Sequence, residues 1–423
     1  MFKNLVSLLK VPDLRRKLLI VFFLLFVFRV LATIPLPNVN KDQLKIFLTD
    51  NQFFGLFNVF TGGAFDNISL GLLGIGPYIT SSIIFQLLTL VFPSLKEMIR
   101  EGTDKERAKF EQYQRLLAVP LALLQGFGFL NTLRSQGVII FNSPFDFIRS
   151  LIIVMASSMF IMWLAELITE QKLGNGTSMI IFAGIVINFP REIFQTIITA
   201  TPEMIPSIIL FFILGLLIIV GVVFISRGER RIPVSYAKQV RGTKIYGGAS
   251  TYLPLRINQA GVIPIIFALS IMSFPQMISQ FMSASKNIYL LKIALILKNF
   301  RQESFIYLLL YFLLVIVFTF FYTMITFEPQ SISDNLQKRG GFIPGYRPGK
   351  VTSQYLSNVS QKITIFGAIF LGIIALLPIL MQKFTGITTF AIGGTSLLIM
   401  VEVAIEIMNN IESQLIMREY EIS

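Results

Sequence analysis

Apolar residues occur along this chain in long unbroken runs, separated by shorter stretches that hold most of the charge. Ten such runs are centred on residues 18–34, 71–92, 114–133, 149–168, 173–189, 206–226, 258–280, 304–326, 363–381 and 389–411. A helix rising 1.5 Å per residue crosses a hydrocarbon core of about 30 Å in about 20 residues, so the pattern predicts ten transmembrane helices. The first run follows Arg15, Arg16 and Lys17 with no small-residue cleavage site and is read as a retained span. Thr201-Pro202-Glu203 separates two sets of five, giving halves at 1–205 and 206–423. If the halves are related, an odd number of spans forces them to lie upside down to one another, with a pathway at their interface near the midplane. They share no convincing sequence similarity, so the repeat is a topological expectation.

Composition agrees with the pattern. Of 423 residues, 54% are hydrophobic and 14% charged, against about a quarter charged in soluble domains. The fold class is therefore all-α and polytopic. With the N-terminus on the cytoplasmic side, 25 basic residues fall on that side and 10 on the other, with Arg29 left inside the first run. This imbalance predicts that both termini are cytoplasmic.

The chain has no His and no Cys, which excludes disulfides, Cys/His zinc sites, His-ligated haem and Ser-His or Cys-His nucleophiles. All seven Asp residues lie outside the centres of the runs, so an intramembrane aspartyl protease is excluded. The phosphate-binding pattern Gly-x-x-x-x-Gly-Lys-Ser/Thr is absent too. No catalytic residue, metal site or cofactor is expected, and energy must come from a partner or a gradient. Ionisable groups within the runs are few: Arg29, Glu166, Glu402 and Glu406. They are read as lying near span ends or facing an aqueous vestibule rather than relaying protons.

Two features fit no ordinary span. Residues 56–68, Leu-Phe-Asn-Val-Phe-Thr-Gly-Gly-Ala-Phe-Asp-Asn-Ile, are apolar enough to avoid water yet too short and too Gly-broken to cross. They read either as an interfacial loop or as a re-entrant segment lining a protein cavity. They lead into Gly71 to Thr80, where Gly and Pro loosen the outer part of the second span. The loops 227–257 and 327–362 carry seven and five basic residues, interleaved with Gly, Pro and Tyr. Their length exceeds what orientation needs and suits docking to an acidic protein or to RNA phosphates.

Several motifs carry a family resemblance. They are Leu73-Gly74-Ile75-x-Pro77-Tyr78-Ile79, Gly174-Asn175-Gly176-x-Ser178, Pro254-Leu255-Arg256-x-Asn258-x-Ala260-Gly261-Val262-Ile263-Pro264, Asp334-Asn335-Leu336, Pro344-Gly345-x-Arg347-Pro348-Gly349 and Gly393-Gly394-Thr395-Ser396-Leu397-Leu398-Ile399. Collinear from about residue 12 to 412, the chain strongly resembles the SecY family, the channel subunit of the bacterial and plastid protein-export translocon. The resemblance implies a clamshell of two inverted five-helix halves and a lateral gate between spans 2 and 7. It also implies a plug over about 57–70, with Phe57, Phe60, Gly62, Gly63, Phe65 and Ile68.

By the same resemblance the pore ring is formed by Ile75, Ile79, Thr177, Ile181, Ile266 and Ile399, with Thr177 departing from the aliphatic pattern. Helical rise puts Ile79, Ile181, Ile266 and Ile399 about 12–15 Å into their spans, near the midplane. The gate's polar residues are Thr80, Gln125 and Asn258. Motor or ribosome docking falls to Arg241, Lys244 and Arg347, although Thr243 stands where a second basic residue is often found. Glu402 replaces a usual apolar residue and is read as lining a cytoplasmic vestibule.

The implied partners are SecE-like and SecG-like small subunits, the motor ATPase SecA, the ribosome, unfolded preproteins with signal peptides, and the lipid bilayer. The implied location is a bacterial inner membrane or, alternatively, a plastid thylakoid membrane. Rival readings are a secondary solute transporter with inverted five-span repeats, which requires a compact charged site at mid-depth, and a non-conducting scaffold, which does not need the Gly-rich segment.

Overall fold

The computed structural model describes residues 12–40, 43–44, 61–65, 67–100, 103–198, 201–236, 239–241, 244–246, 250–283, 287–298, 304–385 and 389–422. Each of the ten apolar runs coincides with a helix. These are α1 (Pro12–Thr33), α2 (Gly76–Val91), α4 (Asp104–Ser135), α5 (Pro144–Glu170), α6 (Gly176–Ile198), α7 (Ile205–Arg227), α8 (Ile263–Ser283), α10 (Phe305–Thr326), α12 (Lys350–Thr385) and α13 (Thr389–Ile422). Three further helices are polar or short: α3 (Pro93–Arg100), α9 (Ile288–Lys298) and α11 (Pro329–Lys338).

Among the described residues, five helices are long and apolar enough to cross a membrane by length and composition alone: α4, α5, α7, α10 and α12. The pair α2 and α3 meets the same test only together, bent by 114°. The bend falls where Pro93 opens α3, since a proline both lacks an N–H and disfavours helix in the residue before it. Among the described residues, α6 and α8 contribute the shorter apolar segments Gly176–Pro190 and Ile263–Met272. The remaining two, α1 and α13, carry the ionisable residues Arg29, Glu402 and Glu406 within their spans.

Helix starts follow capping chemistry. Pro77 occupies the first turn of α2, where its missing N–H costs nothing. At α4 the Glu106 carboxylate accepts from the Thr103 backbone N–H at 2.7 Å and from its hydroxyl at 3.1 Å. Those bonds hold the Glu106 carboxyl below its ordinary pKa.

Helices α1, α2, α4, α5 and α6 pack among themselves, as do α7, α8, α10, α12 and α13. The two groups meet along two seams: α8 lies against α2 and α4, and α13 lies against α6. One large apolar cluster joins both groups, drawing on Val21, Ile79, Ile181, Ile266, Tyr311 and Ile399 among others. A second, around Phe65, Leu72, Phe129 and Leu133, belongs to the first group alone.

The two basic loops hold strand structure that the apolar pattern did not predict. Strands β1 (Glu229–Tyr236) and β4 (Ser250–Arg256) form an antiparallel hairpin in register from Glu229 opposite Arg256 to Ser235 opposite Ser250. Within it β2 (Gln239–Arg241) pairs with β3 (Lys244–Tyr246). The short β5 (Gly341–Phe342), from the second basic loop, adds to the free edge of β1. Ile232, Val234, Leu255, Ile343, Leu356 and Val359 bury together beneath this sheet, so the two loops are one folded unit with its own small core.

Candidate functional site

Five of the six ring positions named in the sequence fall in one large buried cluster. Ile75, Ile79, Ile181, Ile266 and Ile399 are all buried within the cluster that joins the two helix groups. Ile75 is the cap of α2 rather than part of it, but Ile79 donates its N–H to the Ile75 carbonyl at 3.1 Å, so the two are stacked one turn apart. Thr177, in the first turn of α6, is only half-buried and stands one turn from Ile181.

Beside this cluster lies the Gly-rich segment. Its described parts, Thr61–Phe65 and Asn67–Ile75, consist mostly of turns and are buried at Thr61–Phe65, Ile68, Ser69 and Gly71–Ile75. Phe57 and Phe60 lie outside the described residues. These residues are enclosed by protein rather than laid on its surface.

Specific contacts pin the segment. Gly62 and Gly63 adopt left-handed backbone with φ of 65° and 81°, which favours glycine. A Cβ on Gly184 of α6 would collide with the Gly62 Cα, so the two backbones touch directly. Arg29 of α1 donates to the Gly62 carbonyl at 3.0 Å. Phe65 meets Phe129 edge to face with centroids 5.8 Å apart, and Ile68 is fully buried at a φ of 43°. Arg29 is thus an anchor for this segment, a role the sequence did not signal.

The polar residues expected at the gate divide between the two helix groups. Gln125 Nε2 of α4 donates to Thr80 Oγ1 of α2 at 3.4 Å, a long bond between neighbours on one side of the seam. Asn258 makes its bond on the other side, donating through Nδ2 to Glu402 Oε1 of α13 at 2.8 Å. Ser226 Oγ, at the end of α7, donates to the same oxygen at 2.6 Å. Glu402 is only 6% exposed, so the expected vestibule lining is corrected to a buried, hydrogen-bonded carboxylate. Glu406, one turn on, accepts from the Asn175 backbone N–H. Glu166 pairs with Arg115 of α4, Nε to Oε1 at 2.6 Å.

Of the docking residues, Arg347 is exposed in a turn between Gly345 and Gly349, whose φ values of 86° and 96° shape the loop. Thr352 Oγ1 donates to the Arg347 carbonyl at 2.8 Å. Tyr346 stacks on Tyr355 with centroids 4.0 Å apart. These contacts hold the backbone and leave the guanidinium outward. Arg241 and Lys244 are paired across β2 and β3, and their side chains lie outside the described residues. Arg227, Arg230, Arg231 and Arg256 are exposed at the base of the hairpin.

The SecY family model matches residues 69–408. The chain belongs to the SecY family. It is 41% identical to the protein translocase subunit SecY of Thermotoga maritima over 99% of this chain and 96% of that protein. With the SecY of Streptomyces galbus it shares 42% identity over 97% of each. Three solved structures share the fold at 18% identity, each covering 94% of this chain and 91% of the other: a protein-conducting channel at a TM-score of 0.66, a SecY whose plug domain stabilises the closed state at 0.64, and Sec61 of a canine ribosome–channel complex at 0.63. This SecY-family chain is an all-α polytopic membrane protein, and the two curated relatives named are bacterial proteins.

Proposed function

We propose that the chain is the central protein-conducting channel of a Sec translocon, passing unfolded polypeptides across the membrane and releasing apolar segments sideways into lipid. One observation carries this reading. Five isoleucines from four helices and the cap of one of them belong to the buried cluster that joins the two helix groups, with a buried Gly-rich segment packed alongside. Aliphatic tips dewet a narrow neck, which excludes ions yet yields to a threading chain. Ile75, Ile79, Ile181, Ile266 and Ile399 act as that seal, with Thr177 at its margin, and residues 57–70 act as the plug. The seam of α8 against α2 is the lateral exit.

In this reading the channel is passive and needs no cofactor. SecA or a translating ribosome drives it by docking on the basic sheet and on Arg347, Arg241 and Lys244, and SecE-like and SecG-like subunits complete the assembly. The chain sits in a bacterial inner membrane with both termini and both basic loops cytoplasmic. The transporter alternative calls for a charged mid-depth site that takes a solute. Among the described residues the buried carboxyl group nearest in sequence to a ring position, Glu402, has an oxygen already bonded by two donors of its own chain. Replacing Ile79 and Ile266 together with Ser should wet the neck and raise resting ion conductance in planar bilayers; conductance equal to the parent's would remove these residues from the seal.

A further inference from the structure

The basic hairpin leaves the helical body through two feet. One is Ser226 and Arg227 at the end of α7, the other Arg256 to Asn258 after β4. Register places Glu229 opposite Arg256, and the Ile257 N–H donates to the Gly228 carbonyl at 2.9 Å, so the feet are bonded to each other. Space there is tight: a Cβ on Gly228 would lie 2.5 Å from Ile257 Cδ1, and one on Gly367 of α12 would lie 2.8 Å from the Ile257 carbonyl oxygen.

Each foot contributes one donor, Ser226 Oγ and Asn258 Nδ2, and both end on Glu402 Oε1. Asn258 is itself fixed by accepting the Gly261 N–H through Oδ1 at 3.0 Å, just before α8 begins. Glu402 lies three residues beyond Ile399 on α13, so the two share a helix face, and both are buried.

We propose that Glu402 is a positioning residue that couples the docking hairpin to the seal: its carboxylate fastens both feet of the hairpin to the helix carrying Ile399. The inference rests on the channel reading above and assigns the residue that transmits docking to opening. A motor that tilts the hairpin moves its feet, and the feet cannot move without pulling α13 or breaking two hydrogen bonds in a buried site, where an unmade bond is costly. The same carboxylate holds Asn258 at the entry to α8, so the lateral seam and the seal receive the displacement together.

The test uses the full chain with its partner subunits in vesicles. SecA is added with ATP, its binding is measured, and SecA-dependent ion efflux is recorded for the parent, Glu402→Leu and Glu402→Gln. Leu removes the acceptor, whereas the Gln side-chain carbonyl still accepts from Ser226 and Asn258. Coupling predicts that Glu402→Leu binds SecA as the parent does and loses SecA-dependent efflux by about tenfold, within the usual range of coupling between sites. Glu402→Gln should recover most of it. A Ser226→Ala change should cost less in the Glu402→Leu background than in the parent, because the bond it removes is already gone. Parental efflux from Glu402→Leu would overturn the coupling. So would a parallel fall in yield, SecA binding and efflux in both variants, which would reduce Glu402 to a folding role. No SecA-dependent efflux from the parent chain would overturn the channel reading and this inference with it.

Discussion

Gly184 shows what single positions decide in this molecule. Its missing side chain lets the Gly62 backbone lie directly on α6, and a methyl there has nowhere to go because a Cβ would strike Gly62 itself. Overpacking of this kind costs about 1–3 kcal/mol. Gly184→Ala should therefore push the Gly-rich segment outward and raise resting conductance, while Gly215→Ala, where the nearest atom to a Cβ is Leu397 Cδ1 at 3.8 Å, should leave it unchanged. Bilayer conductance beside thermal unfolding of both variants separates a loosened Gly-rich segment from general damage. Glycine in residues 56–68 was legible as unusual, since it breaks a largely apolar segment, but its partner was not. The same holds for Glu402. A carboxylate in an apolar run announced itself, yet its two donors lie 176 and 144 residues away in the chain. Only the packing of α7 and α13 brings them together.

At the level of elements, the helices were readable because the apolar runs are long and most end at charges or prolines. The sheet was not. Pro233 and Pro254 interrupt the strand pattern, and β5 is two residues long and joins from a different loop. Strand pairing between distant segments leaves little local periodicity to read. The joined sheet alters what Arg347 means. Its turn follows β5 closely, so a partner that grips Arg347 also grips the hairpin. Arg347→Glu removes a guanidinium able to bind a carboxylate or phosphate bidentately and adds a repulsion. The variant should insert normally, and SecA binding should weaken, more at low salt than at high, with loss of ATP-dependent translocation into vesicles matched for channel content. Wild-type translocation would return the loop to a role in orientation alone.

The whole molecule is two helix groups joined along two unlike seams. The resemblance anticipated a gate between spans 2 and 7, and the described structure brings α2 against α8. What it adds is where the polar bonds fall: Thr80 bonds within one group and Asn258 within the other. Parting α2 from α8 breaks neither. Because the chain has no native Cys, a cysteine at Thr80 and another at a facing position of α8 give a clean test. Oxidation should block export of long substrates, and full export with the crosslink intact would show that this seam stays closed during transport. Across the other seam, Glu406 accepts the Asn175 N–H and Gln414 Nε2 donates to the Lys172 carbonyl at 2.5 Å, both from α13 to the turn before α6. Such an arrangement behaves like a door with a hinge post. In the channel proposed above, movement confined to the α2–α8 edge would send cargo toward a single sector of the surrounding lipid, and a neighbour seated behind the post would keep its place through every cycle.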